Sequence, residues 1–219
     1  MIQDISGKID LNTASDALLK GLFKSVGLDD EKSSALLDVI LDWRDSDDLR
    51  RPNGAEAADY LAAGLKYKPA NAPFETVDEL QRVLGMTPQL YAQLADALTV
   101  YSKQAGVNPA VASRQVLLAI PGVDEATVDS YLASRRDALA ANMPVPPFPK
   151  GAGFVVGANG FVYSVRAEAT MPDGATFIRD AVVRIDPGAV GHKFEILSWK
   201  QGAAMPKTGG EDKPVIDEK

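Results

Sequence analysis

The sequence predicts an α+β fold in which a large helical region interrupts an antiparallel sheet. Three observations carry this. Apolar residues recur at helical spacing up to about residue 142, and they alternate with polar residues after about residue 150. Between the two patterns lies the proline-rich run Met143-Pro144-Val145-Pro146-Pro147-Phe148-Pro149. Proline has no N–H to donate and disfavours helix in the residue before it, so this run reads as an extended connector over 143–152.

The helical region, 12–142, reads as paired helices. Leu18, Leu19, Leu22, Phe23 and Val26 share one helical face, and Gly27 supplies a stop. Asp29 or Asp30 caps a second helix with Leu36, Leu37, Ile40, Leu41 and Trp43 as its apolar stripe. A second pair starts at Thr76, with Glu79 completing a capping box and Leu80, Val83 and Leu84 inward. Gly85 ends it, and Thr87-Pro88 opens a helix carrying Leu90, Leu94 and Leu98. The third pair begins at Asn108-Pro109, carries Val116, Leu117 and Ile120, turns at Pro121-Gly122, and resumes after Asp124 with Val128, Tyr131 and Leu132. Two of these pairs look alike. Asn12 and Asn108 each precede an apolar helix, a glycine turn and a second helix with an arginine near its end (Arg44; Arg135 or Arg136), as in a duplicated hairpin unit.

The last part reads as sheet, 153–200. Phe161, Tyr163, Val165 and Ala167 alternate with polar residues, Met171-Pro172-Asp173-Gly174 is a turn, and Phe177 to Ile185 and Phe194 to Trp199 give further strands. A polar tail, 201–219, is expected to be disordered. Ile9-Asp10-Leu11 is short and β-competent. If it supplies the first strand of this sheet, within 1–11, the helical region is an insertion.

Charge narrows the function. Lys plus Arg total 23 against 30 Asp plus Glu, a formal charge of -7. An acidic surface repels phosphate backbones and anionic lipid, which disfavours nucleic-acid and membrane-surface roles. The absence of cysteine removes disulfides, thiolate nucleophiles and cysteine metal sites. No run approaches the roughly 18 apolar residues of a membrane span, and Met1 to Asp10 lacks the pattern of a signal peptide.

Catalytic readings find little support. His192, the single histidine, lies in a loop, and no serine sits in a nucleophile-elbow context. Gly151, Gly153 and Gly157 precede a strand rather than a helix, so they read as turn glycines and not as a dinucleotide loop. Leu118 to Val123 resembles the turn of a helix-hairpin-helix unit, in which backbone N–H groups hold a phosphate. Here Asp124 stands where the second glycine would be, placing a carboxylate at the phosphate position. A helix-hairpin-helix nucleic-acid-binding protein of a competence-type system is therefore the alternative, opposed by Asp124 and by the net charge.

The acidic run Asp42-Trp43-Arg44-Asp45-Ser46-Asp47-Asp48 is followed by Asn53-Gly54-Ala55-Glu56 and Asp59-Tyr60. Clustered carboxylates on a flexible loop suit a hard cation such as calcium, which takes six to eight oxygens. The bland alternative is a solvated acidic loop paired with Arg44, Arg50 and Arg51.

Several of these segments resemble the K-type minor pseudopilins of type II secretion systems (general secretion pathway protein K). Ser6-Gly7-Lys8-Ile9-Asp10-Leu11-Asn12-Thr13-Ala14 is similar to that family's entry into its helical domain, and Asp42 to Tyr60 to its acidic loop. Tyr67 to Phe74 with Val77 to Leu80, Val107 to Ala110, and Phe194 to Trp199 follow in the family's order. The resemblance implies a pilin-like antiparallel sheet interrupted by an all-α insertion of helix-hairpin (SAM/HhH-like) units. It implies a non-enzymatic subunit at the tip of a periplasmic pseudopilus, assembled with the I- and J-type minor pseudopilins and anchored in the inner membrane by a helix absent from these residues. Secreted substrates and the outer-membrane secretin are further expected contacts, and nucleic acid is not. It also implies calcium at the acidic loop, for which Asp45, Asp47, Glu56 and Asp59 are the expected ligands.

Overall fold

In the computed structural model the described residues are 1–157, 161–186, 188 and 193–202. The chain divides into two compact units, Asp4–Tyr163 and Met1–Gln3 with the residues from Ser164 onward. The expected boundary at 152/153 therefore falls later. Val107 and Val155 form a parallel bridge, with Val107 N–H donating to Phe154 O at 2.9 Å and Val156 N–H to Val107 O at 3.0 Å, so the segment after the prolines belongs to the helical unit.

The sheet unit has four strands in the order β1-β4-β5-β6: β1 (Ile2–Asp4), β4 (Val162–Thr170), β5 (Thr176–Ile185) and β6 (Phe194–Gln201). The Met171–Gly174 turn closes β4 onto β5, with Met171 N–H donating to Ala175 O at 2.8 Å. β5 and β6 are antiparallel. Gln201 lies within β6 rather than in a tail, and residues 203–219 and His192 lie outside the described residues.

Ile9 to Leu11 does not join this sheet. Ile9–Asp10 is β2, which pairs in parallel with β3 (Leu98–Thr99) inside the helical unit, and Leu11 N–H donates to Thr99 O at 2.8 Å. The reason is apolar. Ile9 and Leu11 are completely buried among the helices, whereas Ile2 in β1 is exposed. The strand that joins the sheet is Ile2–Asp4, seven residues earlier than expected.

The helices are α1 (Asp16–Ser25), α2 (Asp30–Arg44), α3 (Ala57–Ala62), α4 (Pro88–Leu94), α5 (Arg114–Leu118) and α6 (Glu125–Ala140). Ser15 caps α1, Asp29 caps α2, Thr87 caps α4 and Asp124 caps α6. Gly27, at φ 90°, ends the first hairpin's opening helix, with Gly27 N–H donating to Lys24 O at 2.9 Å. Three expectations shift. The Thr76 segment is a 3₁₀ helix, Val77–Arg82. Leu98 is in β3, since α4 ends at Leu94. The Asn108-Pro109 segment is a turn, and α5 starts only at Arg114, capped by Ser113. At the last of these local hydrogen bonding competes with the helix: Asn108 Oδ1 accepts from Ala110 N at 3.1 Å and its amide donates to Ser6 Oγ at 3.2 Å.

One core holds these elements. Leu18, Leu19, Leu22 and Phe23 of α1 meet Leu36, Ile40 and Trp43 of α2, Tyr60 of α3, and Val116, Leu117, Ile120 and Val128 around α5 and α6. Each such side chain contributes roughly 1.5–3 kcal/mol by leaving water. Trp43, 1% exposed, lies 6.0 Å from the Tyr60 ring and 6.2 Å from Phe74, with the Arg82 guanidinium 5.7 Å over it. Trp43 directly follows Asp42, so this aromatic group anchors the end of α2 from which the acidic loop leaves.

Candidate metal centre

α2 delivers Asp42 and Asp45 at its C-terminal end, the 45–56 loop carries Asp47 and Asp48, and α3 starts at Glu56. A helix C-terminus is the negative end of its dipole, so carboxylates there raise the local negative potential further. The unexpected member is Asp42. It is fully buried, three residues from Val39 along the inward side of α2, and Gly54 lies so close that a Cβ there would sit 1.8 Å from Asp42 Oδ2. Its partners are few. Arg51 N–H donates to Asp42 Oδ2 at 3.2 Å, and Arg51 Nε stands 3.3 Å from Oδ1 without hydrogen-bond geometry.

Of the four expected ligands, two are drawn to Asp42. Asp45 Oδ1 is buried without a hydrogen bond, and its other oxygen is 3.6 Å from Arg51 Nη2. Glu56 is 7% exposed and neither of its carboxylate oxygens has a hydrogen-bond partner. The other two are engaged elsewhere. Asp47 Oδ1 accepts from Leu49 N at 2.8 Å. Asp59 is a helix cap: its Oδ2 accepts from Glu56 N at 2.9 Å, and Oδ1 pairs with Arg50 Nη1 at 3.3 Å. The capping role was hidden because α3 itself, six residues long, gave no apolar repeat to announce it. Arg44 donates to Leu11 O, and its charge partly offsets the burial of Asp45.

The protonation preferences follow. Burial, then Asp42, Asp45, Asp48 and Asp47, push the Glu56 carboxyl up to about 7. Burial and Asp45 raise Asp42 despite the Arg51 N–H bond; burial and Asp47 raise Asp45. Among the described residues, no group of three or more carboxylate, histidine or cysteine side chains is arranged to hold a metal ion as it stands. What fits a hard cation is the donor chemistry: orphaned buried oxygens on Asp42, Asp45 and Glu56, each disfavoured as an anion first by burial and then by neighbouring carboxylates.

The helix-hairpin turn offers no comparable anion site. Asp124 Oδ1 accepts from Thr127 N at 2.8 Å and Oδ2 contacts Lys150 Nζ at 2.6 Å. These partners hold its carboxyl well below the usual range, so a permanent negative charge caps α6 where a phosphate would sit.

Comparison with known proteins gives the molecule its context. The family described as type II secretion system (T2SS), protein K matches residues 3–103, which include β2, the acidic loop and β3. The type II secretion system protein K of Pseudomonas aeruginosa is 25% identical over 232 residues, covering 96% of this chain and 68% of that protein. These matches make the chain similar to the protein K family of type II secretion systems over residues 3–103 and, more distantly, over most of its length. Protein K of Klebsiella pneumoniae is 33% identical over 101 residues, 45% of this chain and 31% of that protein, and that of Pectobacterium carotovorum 28% over 115 residues, 51% and 35%. In fold, the chain is similar to a chain of the crystallised GspK-GspI-GspJ complex of enterotoxigenic Escherichia coli, with a TM-score of 0.69, 15% identity, and coverage of 93% of this chain and 79% of that one.

Proposed function

We propose that this chain is the periplasmic part of a K-type minor pseudopilin that caps the tip of the type II secretion pseudopilus and so supports export of folded proteins across the outer membrane. The observation that carries this is the position in the sequence of the helical unit, Asp4–Tyr163, between strands β1 and β4 of one sheet. Pilin subunits add head to tail in an open helical array, which continues unless a subunit lacks the surface for the next. A sheet subunit enlarged by so large an insertion is suited to end such an array. The insertion reads as two related hairpins, α1–α2 and α5–α6, each with a glycine turn and an arginine that ties its second helix back to the segment before its first.

The role is structural rather than catalytic, and the partners are the I- and J-type minor pseudopilins, in keeping with the complex named for the similar E. coli structure. Secreted substrates and the secretin are further contacts of such a tip. The whole protein is anchored in the inner membrane by a segment outside this chain. Calcium belongs to the same reading. Asp42, Asp45 and Glu56 would hold it, with Asp47 and Asp48 adding negative potential, and the ion would tie the end of α2 to the start of α3 by neutralising carboxylates that otherwise repel. Size-exclusion chromatography of the chain mixed with periplasmic I- and J-type subunits, with calcium or with chelator, tests it. Co-elution as one complex is expected; a chain that elutes alone in both conditions overturns binding by this part of the protein.

A further inference from the structure

Strand β6 ends the sheet, and among the described residues no strand lies against its outer edge. Its inner register has a bulge. Val182 faces Ser198, but Val183 faces Ile196, so Leu197 has no opposite residue on β5. Directly opposed residues share a face of the sheet. Phe194, Ile196 and Trp199 therefore lie together, opposite Ile185, Val183 and Ala181, while Glu195, Ser198 and Lys200 lie on the other face. In a regular strand, with its period of two, Ile196 and Trp199 would point to opposite sides. The bulge makes the order of faces read the same from either end of β6.

That symmetry fits a second copy. We propose that the outer edge of β6 pairs antiparallel with β6 of another molecule of this chain, about a two-fold axis between Leu197 and Ser198. In this register Phe194 faces Gln201, Glu195 faces Lys200 and Ile196 faces Trp199, each pair occurring twice and each with both members on one face. Phe194, Ile196 and Trp199 are 58%, 51% and 64% exposed, so the pairing covers apolar surface that the sheet unit leaves to water. Charge selects the orientation. Glu195 already accepts from Arg184 Nη1 at 3.0 Å, and the pairing extends this into a row of alternating sign; parallel in-register pairing would set Glu195 against Glu195. Charges and bulges on an edge strand ordinarily deter such pairing. Here both are self-complementary. The proposal goes beyond the tip reading and does not rest on it.

The test is sedimentation equilibrium of the isolated chain over about a hundredfold range of concentration. The expected result is a reversible dimer, weakened at least about tenfold by Glu195→Lys or Lys200→Glu singly, because like charges then face each other twice, and restored when both changes are combined. Ile196→Thr keeps a β-forming residue, leaves both charges in place, and is expected to weaken the dimer too. A chain that stays monomeric throughout overturns the proposal. So does a dimer indifferent to both single reversals and to Ile196→Thr, or one the double reversal does not restore.

Discussion

The two hairpins of the helical unit share a plan and differ in how they treat charge. In the first, α1–α2, the second helix ends on Asp42 and Asp45, whose carboxyls, with that of Glu56, are pushed up by burial and mutual repulsion. In the second, α5–α6, Asp124 and Asp129 are held below the usual range by hydrogen bonds, first from Lys150 and from Arg114 respectively. Arg114 bonds Asp129 at 2.8 Å and Glu125 at 3.0 Å, Lys150 reaches Asp124, and Arg135 donates to Pro109 O and Ala112 O, both at 2.8 Å. In the second hairpin Asp124, Glu125 and Asp129 each have a cationic partner, Lys150 for the first and Arg114 for the other two. In the first, Arg51 stands beside Asp42 and Asp45, yet buried oxygens of Asp42, Asp45 and Glu56 lack hydrogen bonds, and the calcium proposal rests on that difference.

The largest effect should come from the aromatic group at the end of α2, next in the chain to Asp42. Trp43→Ala removes a side chain in contact with Tyr60, Phe74 and Arg82 and is expected to cost about 3–5 kcal/mol in urea unfolding. A loss under 1 kcal/mol would mean that the acidic end of the first hairpin is not built on this packing.

Next comes the charge itself. The folded-state carboxyl of Glu56, near 7, lies above its ordinary value of 4.5, so between those values the folded chain binds a proton that the unfolded chain does not. Its contribution is therefore favourable at the acid end of the window and fades as pH rises through about 7, by at most about 3 kcal/mol. In chelator, stability should fall from pH 5 to 7.5, and Glu56→Gln should flatten that slope while raising stability at pH 7.5. Calcium binds the deprotonated form, so at pH 7.5 it should raise the melting temperature of the unsubstituted chain and do so much less in Glu56→Gln. Thermal melts across this grid settle it; an identical calcium shift in both proteins would remove Glu56 from the site.

How much of this was legible from the residues alone depends on the kind of signal. The capped, amphipathic α1 and α2 were, because Ser15, Asp29 and Gly27 bracket continuous apolar stripes. The alternating strands were too. The acidic cluster announced itself by composition, and the structure buries carboxylate oxygens of both Asp45 and Glu56 without hydrogen bonds. Asp42 is not among the expected ligands, because nothing local in the sequence shows that it is buried with Gly54 packed against it from across the loop. Asp59 was chosen because a cap and a ligand are the same residue type, and only the N–H of Glu56 decides between them. Ile9 to Leu11 misled for a similar reason. Its β pattern is real, but the partner is Leu98-Thr99, some ninety residues on, and no local pattern chooses between that strand and the sheet.

The contact between the hairpins gives a test whose sign is informative. Gly21 lies in the interior of α1, where replacing glycine with alanine ordinarily stabilises a helix by about 0.5–1 kcal/mol. Here a Cβ would sit 1.9 Å from the carbonyl oxygen of Ala119, just past the end of α5. Backbone cannot swing aside as a side chain does, so Gly21→Ala should destabilise by about 1–3 kcal/mol. A stabilised variant would show that α1 and α5 do not pack this closely.

The smallest effects concern the caps, and they return to the comparison of the two hairpins. Ser15 Oγ accepts from Leu18 N at 3.4 Å and Ser113 Oγ from Val116 N at 3.3 Å, so the two serines do the same work at matching places. Either one replaced by alanine should cost about 0.5–1 kcal/mol. The hairpins differ in what the cap supports: α1 runs ten residues with four of them buried, whereas α5 runs five and depends on its neighbours for most of its order. Hydrogen exchange should therefore show Ser113→Ala loosening α5 amides alone, and Ser15→Ala lowering protection across α1 and α2 together. If both variants loosen only their own first turn, the hairpins are not cooperative units, and the likeness between them is one of shape without shared energetics.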